Sequence, residues 1–272
     1  MTQTIQQDII TAKLFFNAAF PVMKVVLEDD SAMKAKFQGV QAIVQIGAFG
    51  ERAGGELFAC HLVFDKGQFS VIQGTAESAG KKPDIALTFS SLAKMNTMFR
   101  GGLALPSIKG LNKLGLLLKV FSLLMSLMLM MPSSRPKEPA KQRLKVKMSL
   151  YMITRALSVY NKLGDPAMSE WCRRQPERIY QFIVDGEDGG SPAVACYLRV
   201  KAGKSKSGHG VYTRRSPFVL FHFFSVGGAL KVLLKDVAFV EGVEQGCVEI
   251  IGSPEYAMYL NDFMSVLQGM LT

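Results

Sequence analysis

The residues best equipped for chemistry in this 272-residue chain are three histidines and four cysteines. Cys60 and His61 are neighbours in "FACHLVF", a stretch that reads as a β-strand. Adjacent strand residues point to opposite faces, so this thiol and imidazole cannot form a dyad. His222 stands in another strand-like run, and His209 in the glycine-rich "KAGKSKSGHG". Cys172, Cys196 and Cys247 occur singly in mostly apolar surroundings. The sequence has no C-x-x-C, no H-E-x-x-H and no G-x-S-x-G. "AGKS" at Ala202–Ser205 imitates the end of a phosphate loop, but such a loop needs a glycine where Leu198 stands. The pattern predicts no enzyme: no catalytic residue, no cofactor and no metal site. Isolated thiols of this kind suit a reducing, cytoplasmic setting.

The elements that would position any site come from an internal repeat. "DSAM" at Asp30–Met33 returns as "DPAM" at Asp165–Met168, and Gly54-Gly55 as Gly189-Gly190. "FACHLVF" (Phe58–Phe64) returns as "VACYLRV" (Val194–Val200), and "PDIALTFSS" (Pro83–Ser91) as "PFVLFHFFS" (Pro217–Ser225). These four matches keep nearly one spacing. "SIKG", ending at Gly110, then answers "EIIG", ending at Gly252, with a wider spacing, as if a loop near Phe239–Gly246 had lengthened the second copy. Each copy reads as helix, short Asp-capped helix, three-strand meander, fourth strand, Ser-started helix, short fifth strand and long helix. In the second copy, "KAGKSKSGHG" is expected to be a long polar hairpin loop. The proline-broken, basic stretch 132–142 is the expected linker between domains at 1–131 and 143–272.

The last helix of each copy is apolar on one face. Tyr256, Tyr259, Leu260, Phe263, Leu267, Met270 and Leu271 follow helical spacing, and the Gly110/Gly252 spacing maps that face onto Leu114, Leu117, Leu118, Phe121, Met125, Met128 and Leu129. The first-copy helix, "LLLKVFSLLMSLMLMMP", is greasy nearly all round, with a narrow stripe of Gly115, Lys119, Ser122 and Ser126. Lys119 and a polar-backed twin argue against a membrane span. A helix this apolar needs cover on more than one side. Charge is uneven too. The net charge is +10, and Arg135, Lys137, Lys141, Arg143, Lys145 and Lys147 crowd one segment against only Glu138. That segment reads as a solvated linker or as a surface for anionic headgroups and membrane. No nucleic-acid motif accompanies it. The polar start "MTQTIQQD", with no basic region before an apolar core, is not expected to be a signal peptide.

Several stretches resemble the sterol carrier protein 2 family. "VVLEDDSAMKAKFQGVQAIVQI", "VFDKGQFSV", "PDIALTFSS" and "SIKGLNKLGLLLKV" carry the likeness, over roughly residues 20–125. The second copy departs further and is tied in through its match to the first. The resemblance implies an α+β chain of two such domains, each a mixed, mainly antiparallel five-stranded sheet covered by helices. It also implies an apolar tunnel for a fatty acid, acyl-coenzyme A or sterol-like ligand. The expected lining in copy one is Phe89, Met95, Met98, Phe99, Leu105 and Ile108, with Leu117, Leu118, Phe121, Met125 and Met128 from the long helix. The expectation is a soluble, non-catalytic lipid-binding or lipid-transfer protein. The rival is a structural module whose two copies pack as a pseudo-dimer without ligand, or an accessory domain of a lipid-metabolising enzyme.

Overall fold

The computed structural model describes residues 3–50, 55–187 and 190–272. Gly54 and Gly189, half of one repeat match, lie outside them. The chain divides into two compact units, one of Met1–Met131 with Leu271–Thr272, the other of Pro132–Met270.

In the first unit, helix α1 (Gln3–Leu14) passes through a π turn at Phe15–Ala19 into α2 (Phe20–Asp29). Then follow α3 (Ser31–Phe37), β1 (Gln41–Phe49), β2 (Leu57–Asp65), β3 (Gln68–Gln73), β4 (Ile85–Phe89), α4 (Leu92–Phe99), β5 (Ser107–Lys109) and α5 (Leu114–Met125). The sheet order is β3-β2-β1-β4-β5, with β1 and β4 parallel and all other pairs antiparallel. The second unit runs α6 (Pro139–Lys162), α7 (Pro166–Arg173), β6 (Arg178–Val184), β7 (Val194–Lys201), β8 (Lys204–His209), β9 (Val219–Phe223), α8 (Val226–Leu233), α9 (Phe239–Glu244), β10 (Val248–Gly252) and α10 (Pro254–Leu271). Its order, β8-β7-β6-β9-β10, repeats that of the first sheet strand for strand, including the parallel central pair β6–β9. The chain is therefore α+β, with two mixed five-stranded sheets and helices.

The same residue chemistry builds both units. Asp30 accepts from the Met33 amide at 2.9 Å and Asp165 from the Met168 amide at 2.8 Å, each capping a short helix. Ser91 and Ser225 cap α4 and α8 through the Lys94 and Gly228 amides. A buried glutamine on the central strand accepts one loop amide in each unit: Gln45 from Ala76 at 2.7 Å, Gln181 from Tyr212 at 2.9 Å. Gly110 (φ 91°) follows β5 and Gly252 (φ 110°) ends β10. A Cβ there would stand 2.2 Å from the Asp84 carbonyl oxygen or 2.1 Å from that of Phe218. One face of each sheet is sealed, by Val44, Ile46, Leu87 and Phe89 in the first and by Tyr180, Phe182, Phe221 and Phe223 in the second.

Three expectations need correcting. "KAGKSKSGHG" is not a long loop. Ala202 and Gly203, with φ of 44° and 84°, make a two-residue turn like Lys66 and Gly67, and the polar remainder is edge strand β8. An edge strand is well served by lysines, here Lys204 and Lys206, that discourage pairing with other chains. "FVEGVEQG" is not a plain loop either, since it forms α9. The supposed linker 132–142 already contains the first turn of α6, which starts at Pro139.

The mapped helix face also shifts. A three-residue 3₁₀ turn, Leu111–Lys113, stands between Gly110 and α5, whereas Ser253 alone separates Gly252 from α10. Two extra residues rotate a helix by about 200°. The buried positions Leu117, Val120, Leu124 and Leu127 thus answer Ala257, Leu260, Met264 and Leu267. Leu114, Leu118 and Met125, expected to face inwards, are 58 %, 62 % and 59 % exposed.

Candidate functional site

The second unit holds an apolar cavity of about 410 Å³ between its sheet and its helices. Phe182, Phe221 and Phe223 form the floor because inward positions alternate along β6 and β9. The Phe182 and Phe221 rings stack at 4.5 Å with 6° between their planes, and Phe239 from α9 approaches Phe221 at 6.0 Å. Leu150 and Ile153 of α6, Val232 and Leu233 of α8, and Met264 of α10 complete the apolar walls. The polar side of α10 supplies Asn261, Ser265 and Gln268, and Lys235 stands exposed beside them. Gln268 donates to the Leu233 carbonyl at 3.4 Å, tying α10 to the end of α8. The site is thus an open apolar cleft with a polar strip along one wall, a surface that would bind by area burial with little directional chemistry.

The turn after α8 is held from outside. Lys235 has a left-handed backbone (φ 58°), and the next residue, Asp236, receives two hydrogen bonds from the Arg135 guanidinium, each 2.7 Å. Those bonds hold the Asp236 carboxyl below its ordinary range. Arg135 is thereby committed to an ion pair. Lys145 is also committed: its side chain is buried and its amine donates to the Ser134 carbonyl at 2.6 Å. Burial, followed by repulsion from Arg135, pushes its pKa down to about 8. Lys145 is therefore unavailable to a membrane surface, contrary to its place in the basic segment. Lys141 pairs with Glu138, Arg143 donates to the Ala193 carbonyl at 3.4 Å, and Lys147 lies 5.9 Å from the Tyr151 ring. Lys137 is exposed.

The lining expected in the first unit is distributed differently. Phe89, Met95 and Phe99 are buried, and Phe99 meets Phe20 at 4.8 Å, Phe15 at 5.5 Å and Phe89 at 6.1 Å. Aromatic rings from the α1–α2 helix thus fill that part of the space between sheet and helices. Leu117 is buried; Met98, Ile108, Phe121 and Met128 are half-buried; Leu105, Leu118 and Met125 are exposed. A larger cleft, about 1120 Å³, opens on the other face of this sheet, past Gln45, Phe49, Ala86 and Thr88. Leu105 lines it and Phe89 reaches its edge, but so do Lys82, Asp84, Lys109 and Lys113, with Lys113 paired to Asp84. An apolar ligand there would have to desolvate charged groups, which disfavours it.

No histidine reaches the cavity. His61 faces away from the sealed side, its Nδ1 3.1 Å from the Gly74 carbonyl oxygen and its buried Nε2 without a partner. His222 Nε2 sits 2.9 Å from both Asp185 oxygens, on the face opposite Phe221 and Phe223. His209 stacks on Tyr151 at 3.8 Å. All four cysteines are buried and free, and burial pushes the thiols of Cys60, Cys172 and Cys196 upward, in the last two to about 12. Such thiols are poor sources of thiolate. Sequence reasoning placed the lining in the first unit and named none of the residues of this cleft, Phe182, Phe221, Phe239, Val232 and Met264 among them. The available signal was the widened repeat spacing after Ser225, which marked extra chain where α9 now lies.

No family model matches the chain, and no curated protein matches it. Among solved structures it is similar to the sterol carrier protein domain 2 of Helicoverpa armigera, with 22 % identity over 44 % of this chain and 89 % of that one, at a TM-score of 0.31. Sterol Carrier Protein 2 Like 2 from Aedes aegypti shows 19 % identity over 43 % of this chain and 97 % of its own, at a TM-score of 0.28. A stereoselective inverting sec-alkylsulfatase from Pseudomonas sp. shows 11 % identity over 65 % of this chain at a TM-score of 0.24, and the match spans 29 % of the sulfatase.

Proposed function

We propose that the chain is a soluble, non-catalytic lipid-binding or lipid-transfer protein, and that its apolar ligand occupies the cavity of the second unit. The observation that carries this is the open apolar cleft of about 410 Å³ floored by Phe182 and Phe221 and flanked by Phe239. Its volume lies in the range of small-molecule sites. A fatty acid, an acyl-coenzyme A chain or a sterol-like ligand suits the walls, and Lys235, Asn261 and Gln268 suit a polar end. We read the two units as copies of one domain of sterol-carrier type, a reading supported by the shared sheet order and the paired Gln45/Gln181 and Gly110/Gly252 positions. The first unit, with Phe15, Phe20 and Phe99 in ring contact, favours a structural role for that copy. Free, buried thiols suit a cytoplasmic protein.

The test is native mass spectrometry of the full chain purified from cells, with titration of a fluorescent fatty acid and a fluorescent sterol. A co-purified lipid and micromolar binding that Phe239→Ser weakens about tenfold are expected, the loss of one aromatic wall contact. Absence of lipid together with absence of binding of both probes refutes the reading.

A further inference from the structure

We propose that the first unit carries a membrane-docking surface, built from the α4–β5 connection and the outward side of α5, that recognises bilayers containing anionic lipid. The inference does not rest on the cavity of the second unit.

The apolar part is unusual for a soluble surface. Leu103 and Leu105 are 102 % and 90 % exposed, and Leu111, Leu114 and Leu118 are 61 %, 58 % and 62 % exposed. Single exposed leucines are ordinary, but five within one short connection and the first turns of the next helix are not. In the corresponding place between α8 and β10, the second unit has α9. In the first unit "GGLALP" crosses this place with no helix. The outward side of α10 carries Glu255 and Asp262, whereas α5 has no acidic residue.

Charge selects the occupant. From Ile85 to Met131 there is no Asp or Glu, while Lys94, Arg100, Lys109, Lys113 and Lys119 occur. Lys113 is offset by Asp84, but Lys109 and Lys119 have no carboxylate partner among the described residues. Leucines flanked by lysines match an interface whose outer layer is anionic and whose interior is hydrocarbon. A second copy would bring the same positive charges together, which opposes self-association through this face. The surface lies on the membrane rather than through it. The stretch Leu111–Met130 is apolar enough to cross a bilayer and only 28 % buried. Yet Leu117, Val120, Leu123, Leu124 and Leu127 along it are packed in the core of the unit, and Lys119 in its middle would have to enter the hydrocarbon.

The test is co-sedimentation of the full chain with vesicles of phosphatidylcholine alone and of phosphatidylcholine with phosphatidylserine. Binding is expected only where phosphatidylserine is present, and weaker with added salt. Leu103→Ser with Leu105→Ser lowers the partition coefficient about tenfold or more, and Lys109→Gln with Lys119→Gln lowers it about 30-fold. Val240→Ser, at an exposed apolar position of the second unit, leaves it unchanged, and so does Phe239→Ser, which separates this proposal from the cavity reading. Leu103 and Leu105 make no buried contact to lose, so their replacement leaves the fold intact. The proposal is overturned if the wild type fails to sediment with phosphatidylserine vesicles or if the leucine pair binds as well as the wild type. It is equally overturned if sedimentation velocity shows the leucine pair dissociating a dimer without affecting vesicle binding.

Discussion

Lys145 is the basic residue whose surroundings differ most from what its neighbours in sequence suggest. Its amine is buried against the Ser134 carbonyl with the Arg135 charge close by, and its pKa falls to about 8 from the ordinary 10.5. A lysine with a lowered folded-state pKa binds its proton more weakly in the native than in the unfolded chain. Between the two pKa values the unfolded chain therefore holds more protons, and stability rises with pH from about 8 towards about 10. Below about 8 both states are protonated and the native state bears the full cost of a buried charge, at most about 3 kcal/mol at 1.36 kcal/mol per pKa unit. Lys145→Met removes that cost and gives up the contacts of the amine, the hydrogen bond to the Ser134 carbonyl among them, a loss of about 1–3 kcal/mol for each such bond. Urea unfolding at about pH 7 and about pH 9.5 reads both effects. We expect the variant to lose the rise between them. A variant that keeps the rise shows that another group causes it. Asp236 works in the opposite sense. Its carboxyl is held low by Arg135, so its contribution is present above the ordinary carboxylate range and lost as pH falls through the lowered value.

At the scale of elements, the join between the fifth strand and the last helix is the most constrained feature of each unit. Gly110 and Gly252 have left-handed backbones, and a Cβ at either would press on the Asp84 or Phe218 carbonyl oxygen. Gly110→Ala and Gly252→Ala should each cost about 3 kcal/mol or more, since clash and backbone strain add. Chemical denaturation measures this, and a cost below about 1 kcal/mol for either would show that the join relaxes freely. These glycines were legible in the sequence because their context repeats. The strands, the Asp30 and Asp165 caps and the Ser91 and Ser225 caps were legible for the same reason. What sequence could not show was phase. The Leu111–Lys113 turn turns α5 by roughly half a revolution relative to α10, which sends Leu114, Leu118 and Met125 outward and brings Leu123 and Leu127 into the core. Edge strand β8 escaped notice because an edge strand can be polar. Helix α9 escaped because six residues with a central glycine carry little helical signal. Arg135 and Lys145 looked like solvated charges because Asp236 and the Ser134 carbonyl become their partners only in the folded chain.

Across the whole molecule, two units of one topology have divided their apolar residues differently. The first fills its interior with Phe15, Phe20, Phe89 and Phe99 and leaves leucines exposed on α5 and the connection before it. The second keeps an apolar cleft, lines one side of it with Phe239 of α9 and has acids on the outward side of α10. That division predicts a two-part thermal response. Ligand that binds one folded unit stabilises that unit by RT ln(1 + [L]/Kd), about 2.7 kcal/mol at a hundredfold excess over Kd. For a domain of this size, such a gain raises Tm by roughly 5–15 °C. Scanning calorimetry of the full chain with saturating fatty acid should therefore move one unfolding transition and leave the other in place. In Phe239→Ser the mobile transition should lose most of its shift. Movement of both transitions would show that the first unit opens a site of its own between α2, α4 and α5. Movement of neither, at concentrations where the fluorescent probe binds, would show that the probe binds outside both interiors, and the exposed leucines of the first unit would then be the surface to examine.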